Sequence, residues 1–168
     1  YDRYSTQAYS NLYVELCEKY RPSAVFVGAS VNGRDFAPHF AARLETGCTS
    51  DATELIYNPQ TRDIEFVEPA AGGKIMAGIT IPELRPQVGT IRPGTFKYAP
   101  AGKREHIQII REKISTVPEN IPTKLLAYKA NEADPELDIS TAQRVVCVGD
   151  GLKDDSLPMY RELASLLG

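Results

Sequence analysis

The run SAVFVGA, residues 23–29, is apolar or small almost throughout, with Pro22 before it and small, polar residues after it. A strand of that kind has no face suited to water. It belongs in a parallel sheet covered on both sides, and the pattern predicts the central parallel strand of an α/β fold. Beyond it, Phe36, Phe40, Ala41 and Leu44 recur at helical spacing while Arg43 and Glu45 fall on the other face, so the unit reads strand, loop, helix. Upstream, Tyr4, Ala8, Leu12 and Leu16 stand four apart, which predicts a helix ending before Arg21-Pro22. Five of the nine tyrosines lie in this stretch and read as a packing face whose hydroxyls reach water.

From about residue 50 to 130 the character changes. ATELIYN, RDIEFVE, KIMAGITI, VGTIRP, HIQIIRE and KLLAYKA are short β-rich segments separated by Asn-Pro, Gly-Gly and Pro-Gly punctuation. Ile64 and Phe66 alternate with Asp63 and Glu65, the pattern of a strand with one wet face, and NPQT before them predicts a hairpin. The fold class expected is therefore a mixed α/β sheet with a parallel core and added antiparallel strands. After the acidic stretch NEADPELDIS, the run VVCVG reads as a second buried strand, leading through GDGLKDDS into a helix carrying Met159, Leu163, Leu166 and Leu167. Residues 1–140 are expected to form one α/β domain and residues 141–168 the first strand-loop-helix of another. A chain that starts at Tyr1 and stops on a helix at Gly168 reads as an excised piece.

With 168 residues, 42% of them hydrophobic, the chain can bury a real core, and its net charge of −3 gives no general attraction for nucleic acid or anionic membranes. No run approaches the roughly 20 apolar residues of a membrane span. The three cysteines form no CxxC pair, and Cys147 within VVCVG reads as a buried thiol, which points to a reducing compartment. His39 and His106 have no third ligand at metal spacing, so no metal site is expected. No nucleophile-elbow, zinc-hydrolase or Walker sequence is present.

Two loops open helices after predicted strands. In the first, Gly28, Gly33 and Arg34 have the layout of a phosphate cradle, but Asp35 is a good N-cap and competes for the same backbone donors, so capping is favoured. In the second, Asp150, Asp154 and Asp155 outnumber Lys153 where a diphosphate would sit in a dinucleotide-binding sheet. Those carboxylates read as caps and dipole partners.

Three stretches taken together go further: VFVGASVNGRDFAPHFAARLETGCTSDATEL, PAAGGKIMAGITIPELRPQVGTIRPGTF and ISTAQRVVCVGDGLKDDSLPMYRELASLLG. In order and spacing they resemble the alpha subunit of electron transfer flavoproteins, from about Pro22 to Gly168. The resemblance implies a flavodoxin-like, adenine-nucleotide-hydrolase-like first domain, lacking its first strands, and the start of a C-terminal FAD-binding domain. It implies an electron carrier subunit rather than an enzyme. The intact protein would hold FAD, pair with a beta subunit and accept electrons from flavoprotein dehydrogenases, in the cytoplasm or a mitochondrial matrix. The fragment alone is expected to hold no flavin.

Gly149 and Gly151 match the family's cofactor loop, with Asp150 standing where the family usually has arginine. His39 likewise stands where arginine is common. Arg85 and Arg92, in RPQVGTIRPG, are expected to serve assembly with the beta subunit or FAD domain. The alternatives are an adenine-nucleotide-binding or hydrolysing domain that uses the Gly33-Arg34-Asp35 loop, and an assembly domain without a ligand.

Overall fold

The strand at the centre of the parallel sheet is Gln87–Ile91, which carries a glutamine, a glycine and a threonine, and four of its five residues are buried. In the computed structural model, which describes residues 4–99, 102, 108–113, 115, 121–127, 139 and 142–167, the chain falls into two units, Tyr1–Lys124 and Leu125–Gly168. Residues 128–138, 140 and 141, where the expected domain boundary falls, lie outside the described residues, as does His106.

The first unit runs α1 (Thr6–Tyr20), β1 (Ala24–Gly28), α2 (Val31–Arg43), β2 (Cys48–Ala52), β3 (Glu54–Asn58), β4 (Asp63–Ala70), β5 (Ile75–Ile79) and β6 (Gln87–Ile91). β1 and β2 both pair parallel with β6, in the order β1-β6-β2, while β3, β4 and β5 form an antiparallel sheet in sequence order. The mixed α/β class with a parallel core and added antiparallel strands is thus present. The centre is not where the apolar run suggested: among the described residues β1 is an edge strand with half of Phe26 exposed.

Alternation along the parallel strands explains the layers. Val27 and Val88 face α2 and form a buried cluster with Phe36, Ala37, Phe40 and Ala41, against which Tyr9 and Tyr13 of α1 pack. Tyr13 lies 4.9 Å from Phe36 and 5.1 Å from Phe40, ring centre to ring centre, so the tyrosines are packing residues. On the opposite face of the sheet, Phe66 of β4 is fully buried over Gly89 and meets Phe26 edge-on at 6.1 Å. Burying one such ring contributes about 1.5–3 kcal/mol.

Capping fixes the helix ends. The Ser5 hydroxyl accepts from the Ala8 N–H at the start of α1, and the chain leaves at Arg21, whose left-handed φ of 46° closes an N–H bond to the Cys17 carbonyl at 2.8 Å. The NPQT hairpin turns at Asn58, whose side-chain oxygen accepts from the Gln60 N–H at 2.9 Å, and β3 and β4 pair from Asn58↔Asp63 onward.

Residues 108–112 of HIQIIRE and 124–127 of KLLAYKA have no ladder partner among the described residues and are not strands there. In the second unit one helix, α3 (Leu157–Leu167), follows a 3₁₀ turn at Asp154–Ser156. VVCVG is not a strand either: Val145, Val148 and Cys147 are exposed, because a doubly apolar strand requires neighbours on its edges and cover on its faces, and none pairs with it among the described residues. Cys17 is buried and Cys48 half-buried. Among the described residues no helix is long and apolar enough to cross a membrane.

Candidate functional site

In an open α/β sheet, ligands and partners meet the chain beyond the carboxyl ends of the parallel strands. Here that edge is built from Gly28 of β1, Ser30 and the first turn of α2, Asp51 of β2, and Ile91 with Arg92 after β6. The N-cap of α2 is Ser30, not Asp35: its hydroxyl accepts from the Gly33 N–H at 3.1 Å. Gly33 is inside the helix because a Cβ there would collide with the Gly28 carbonyl, so glycine lets α2 descend onto β1. Asp35 instead faces back to α1, where its carboxylate accepts from the Tyr4 hydroxyl and from the Thr6 hydroxyl at 2.5 Å. The bonds from Thr6 and Tyr4 hold its carboxyl below the usual range.

Asp51 organises the edge. One of its oxygens accepts from Arg34 at 2.9 Å; the other accepts from both Nε and Nη2 of Arg92, at 3.2 and 2.7 Å. The Asp51 N–H donates to the Thr90 hydroxyl at 2.7 Å, which fixes the residue at a left-handed φ of 60° where β2 shifts register against β6. Arg92, then Arg34, lower its carboxyl from the ordinary value. The arginine that suggested a phosphate cradle is thus ion-paired within the chain.

The RPQVGTIRPG segment is a fastener between the layers. Gln87 is fully buried; its amide oxygen accepts from the Ile64 N–H at 2.8 Å and its amide nitrogen donates to the Arg62 carbonyl at 3.2 Å, tying β6 to the strand and turn of the antiparallel sheet. Arg85 pairs with Asp63 at 2.9 Å and donates to the carbonyls of Ile81, Pro82 and Leu84. Both arginines expected to serve assembly therefore make their hydrogen bonds inside this chain. Gln87, Thr90 and Asp51 were missed by sequence reasoning; the alternation of Gln87 and Gly89 against Val88 and Thr90 carried a signal for the first two, and Asp51 had none.

A groove of about 380 Å³ lies between residues 47–49 and the segment 79–84. Cys48 borders it, and burial pushes that thiol up to about 11, away from nucleophilic use. His39 is exposed, and no cluster of metal-ligating side chains occurs among the described residues.

In the second unit, the 149–151 turn closes by a Leu152 N–H bond to the Gly149 carbonyl at 3.0 Å. Neither Gly149 nor Gly151 has a positive φ, and a Cβ on either would meet nothing within 4 Å. The turn is open to solvent, and its charge does not fit a diphosphate: Asp150 and Asp155 are exposed beside Lys153.

Comparison with known proteins agrees with this architecture. The electron transfer flavoprotein domain matches residues 1–116. Protein FixB of Clostridium saccharobutylicum is 36% identical over 98% of the chain and 49% of its own length. The electron transfer flavoprotein subunit alpha of Thermoanaerobacterium thermosaccharolyticum is 35% identical over 98% of the chain and 50% of its own length. Subunit LctC of the NAD(+),ferredoxin lactate dehydrogenase of Acetobacterium woodii is 34% identical over 96% of the chain and 38% of its own length. The chain spans about half the length of the curated relatives FixB and subunit alpha. It belongs to the electron transfer flavoprotein domain family.

Proposed function

We propose that the intact protein is an electron transfer flavoprotein alpha subunit that holds FAD, pairs with a beta subunit and relays electrons from flavoprotein dehydrogenases to an acceptor. The observation that carries this reading is similarity over nearly the whole chain to relatives named as alpha subunits, spanning both structural units. FAD, when bound, supplies the redox chemistry, and the protein supplies orientation and electrostatics.

Residues 1–140 are the first domain in this reading, and 141–168 begin the FAD domain. The internal pairing of Arg34 and Arg92 with Asp51, and of Arg85 with Asp63, supports a scaffolding role for the first domain, because the charged groups hold the carboxyl edge and the 79–86 segment in fixed geometry. Gly149 and Gly151 are the positions at which the backbone would approach the cofactor, and the Asp150 carboxylate opposes that approach electrostatically.

The test is to purify the intact protein with its beta subunit and record its absorbance. A flavin spectrum that a flavoprotein dehydrogenase can bleach anaerobically supports the reading. A colourless complex that takes up no FAD overturns it.

A further inference from the structure

Among the described residues, Asn11 is followed by Leu12, Asn32 by Gly33 and Asn58 by Pro59. The neighbour decides one reaction, attack of the next backbone nitrogen on the asparagine's own side-chain amide carbon. Pro59 has no N–H to activate, and the branched side chain of Leu12 crowds the nitrogen after Asn11, whose amide oxygen is also held by Gln7 and Arg43. Gly33 leaves its nitrogen unhindered and its backbone free to turn. Asn32 is exposed, on the first turn of α2.

The fold restrains this bond at every reacting atom. Closing the five-membered ring requires the Asn32 ψ to leave the helical range, and Asn32 and Gly33 both lie within α2. The Gly33 N–H, which must lose its proton for the attack, donates to the Ser30 hydroxyl at 3.1 Å. Gly33 is buried so closely on the Gly28 carbonyl that it cannot swing without lifting the start of α2 off β1. The Asn32 carbonyl accepts from the Tyr4 hydroxyl at 3.3 Å. Helix ends open locally at far lower free energy than the whole fold, so the restraint is a matter of how often this turn frays.

We propose that Asn32–Gly33 is a latent site of self-modification through a cyclic imide, held closed by the Ser30 cap and opened when the first turn of α2 frays. In the open turn the Gly33 nitrogen gives its proton to hydroxide and attacks Asn32 Cγ. The new C–N bond closes the ring as the Cγ–Nδ2 bond breaks, and Nδ2 leaves as ammonia with a proton from water. A second water opens the ring at either carbonyl, leaving aspartate or isoaspartate at position 32, with no oxidant or cofactor involved. Isoaspartate routes the main chain through the side-chain methylene, and that longer link cannot keep the bond from the Arg34 N–H to the Ser30 carbonyl, now 2.9 Å, in register. Arg34 holds Asp51 from this same turn, so the modification loosens the carboxyl edge of the sheet irreversibly. The inference rests on the chemistry of α2 and not on the reading of the protein as an electron carrier.

Peptide mapping by mass spectrometry tests it, on the intact protein held at mildly alkaline pH, by separating the asparagine, aspartate and isoaspartate forms of residue 32. The folded protein should convert far more slowly than the same protein unfolded in urea. Ser30→Ala removes the acceptor of the Gly33 N–H and should quicken conversion about five-fold, the population factor for the about 1 kcal/mol that loss of a serine cap costs. Ser30→Thr keeps a capping hydroxyl and should stay near the parent. An unfolded chain that retains Asn32 over the same period overturns the site itself. A folded rate equal to the unfolded one, or a Ser30→Ala rate equal to the parent's, overturns the control by the cap. So does a Ser30→Ala rate as fast as the unfolded chain's, which would make the opening global rather than confined to one turn.

Discussion

A side chain on residue 89 and the ring of Phe66 cannot occupy the layer between the two sheets together: a Cβ built on Gly89 collides with the ring, which is fully buried. The glycine is there for the phenylalanine. Gly89→Ala is therefore expected to destabilise by about 1–3 kcal/mol, the usual result of overpacking a filled core. The measurement is the denaturant midpoint at constant slope. An unchanged midpoint would mean that Phe66 has somewhere else to go.

Gln87 offers the complementary test. Gln87→Met keeps volume but removes the part-buried bonds to the Ile64 N–H and the Arg62 carbonyl, so the loss is about 0.5–1.5 kcal/mol per bond. Equilibrium unfolding should report the loss, and the Ile64 amide should exchange faster than its neighbours in β4. A stability equal to that of the parent would show that water replaces the glutamine amide.

Asp51 makes acid sensitivity testable. Arg92 and Arg34 hold its folded pKa below the ordinary carboxylate value, so the folded state binds fewer protons there than the unfolded chain. The stability it contributes is complete above the ordinary carboxylate range and is lost as pH falls through the depressed folded value. Asp51→Asn, which tolerates the left-handed backbone, should lower the unfolding free energy at neutral pH by about 0.2–1 kcal/mol per exposed pair. Parent and variant should converge in acid, and added salt should narrow the gap at neutral pH. Parallel pH curves would mean that Asp51 does not contribute through its charge.

On the proposed reading, in which the intact protein holds FAD with the 149–151 turn near its diphosphate, Asp150→Arg should slow FAD dissociation, because a guanidinium would attract a diphosphate that a carboxylate would repel. The gain is about tenfold for each 1.4 kcal/mol recovered, and it should shrink at higher salt. Identical dissociation rates at low and moderate salt would remove the 149–151 turn from the cofactor's surroundings.

Local periodicity was a sound guide wherever the partner was close in sequence. Ile64 and Phe66 against Asp63 and Glu65 marked β4, and Asn58-Pro59 marked its turn, because a hairpin closes on itself. The centre of the parallel sheet was misread for a physical reason. SAVFVGA is apolar enough to be central, yet Phe26 is only half covered, whereas QVGTI contains polar residues and is more deeply buried. Its polarity is satisfied within the layers: Gln87 bonds to backbone, Thr90 receives an N–H, and Gly89 yields its volume to Phe66. VVCVG failed as a strand for the opposite reason, since its apolar pattern supplies no edge for it to join. At the carboxyl edge of the sheet the arginines were legible and their partner was not, because nothing local in CTSDA says that Asp51 will sit between Arg34 and Arg92.

The strand order β1-β6-β2 bears on how the chain is born. β1 and β2 do not pair with each other; each needs β6, and all of β3, β4 and β5 is translated before it. At synthesis rates of about 5–20 residues per second, β1 waits for seconds for its β6 partner, while the antiparallel sheet can already close. The nascent chain thus passes through a stage in which Val25, Phe26 and Val27 lack their β6 ladder, so the parallel pairing is completed late although β1 is made early.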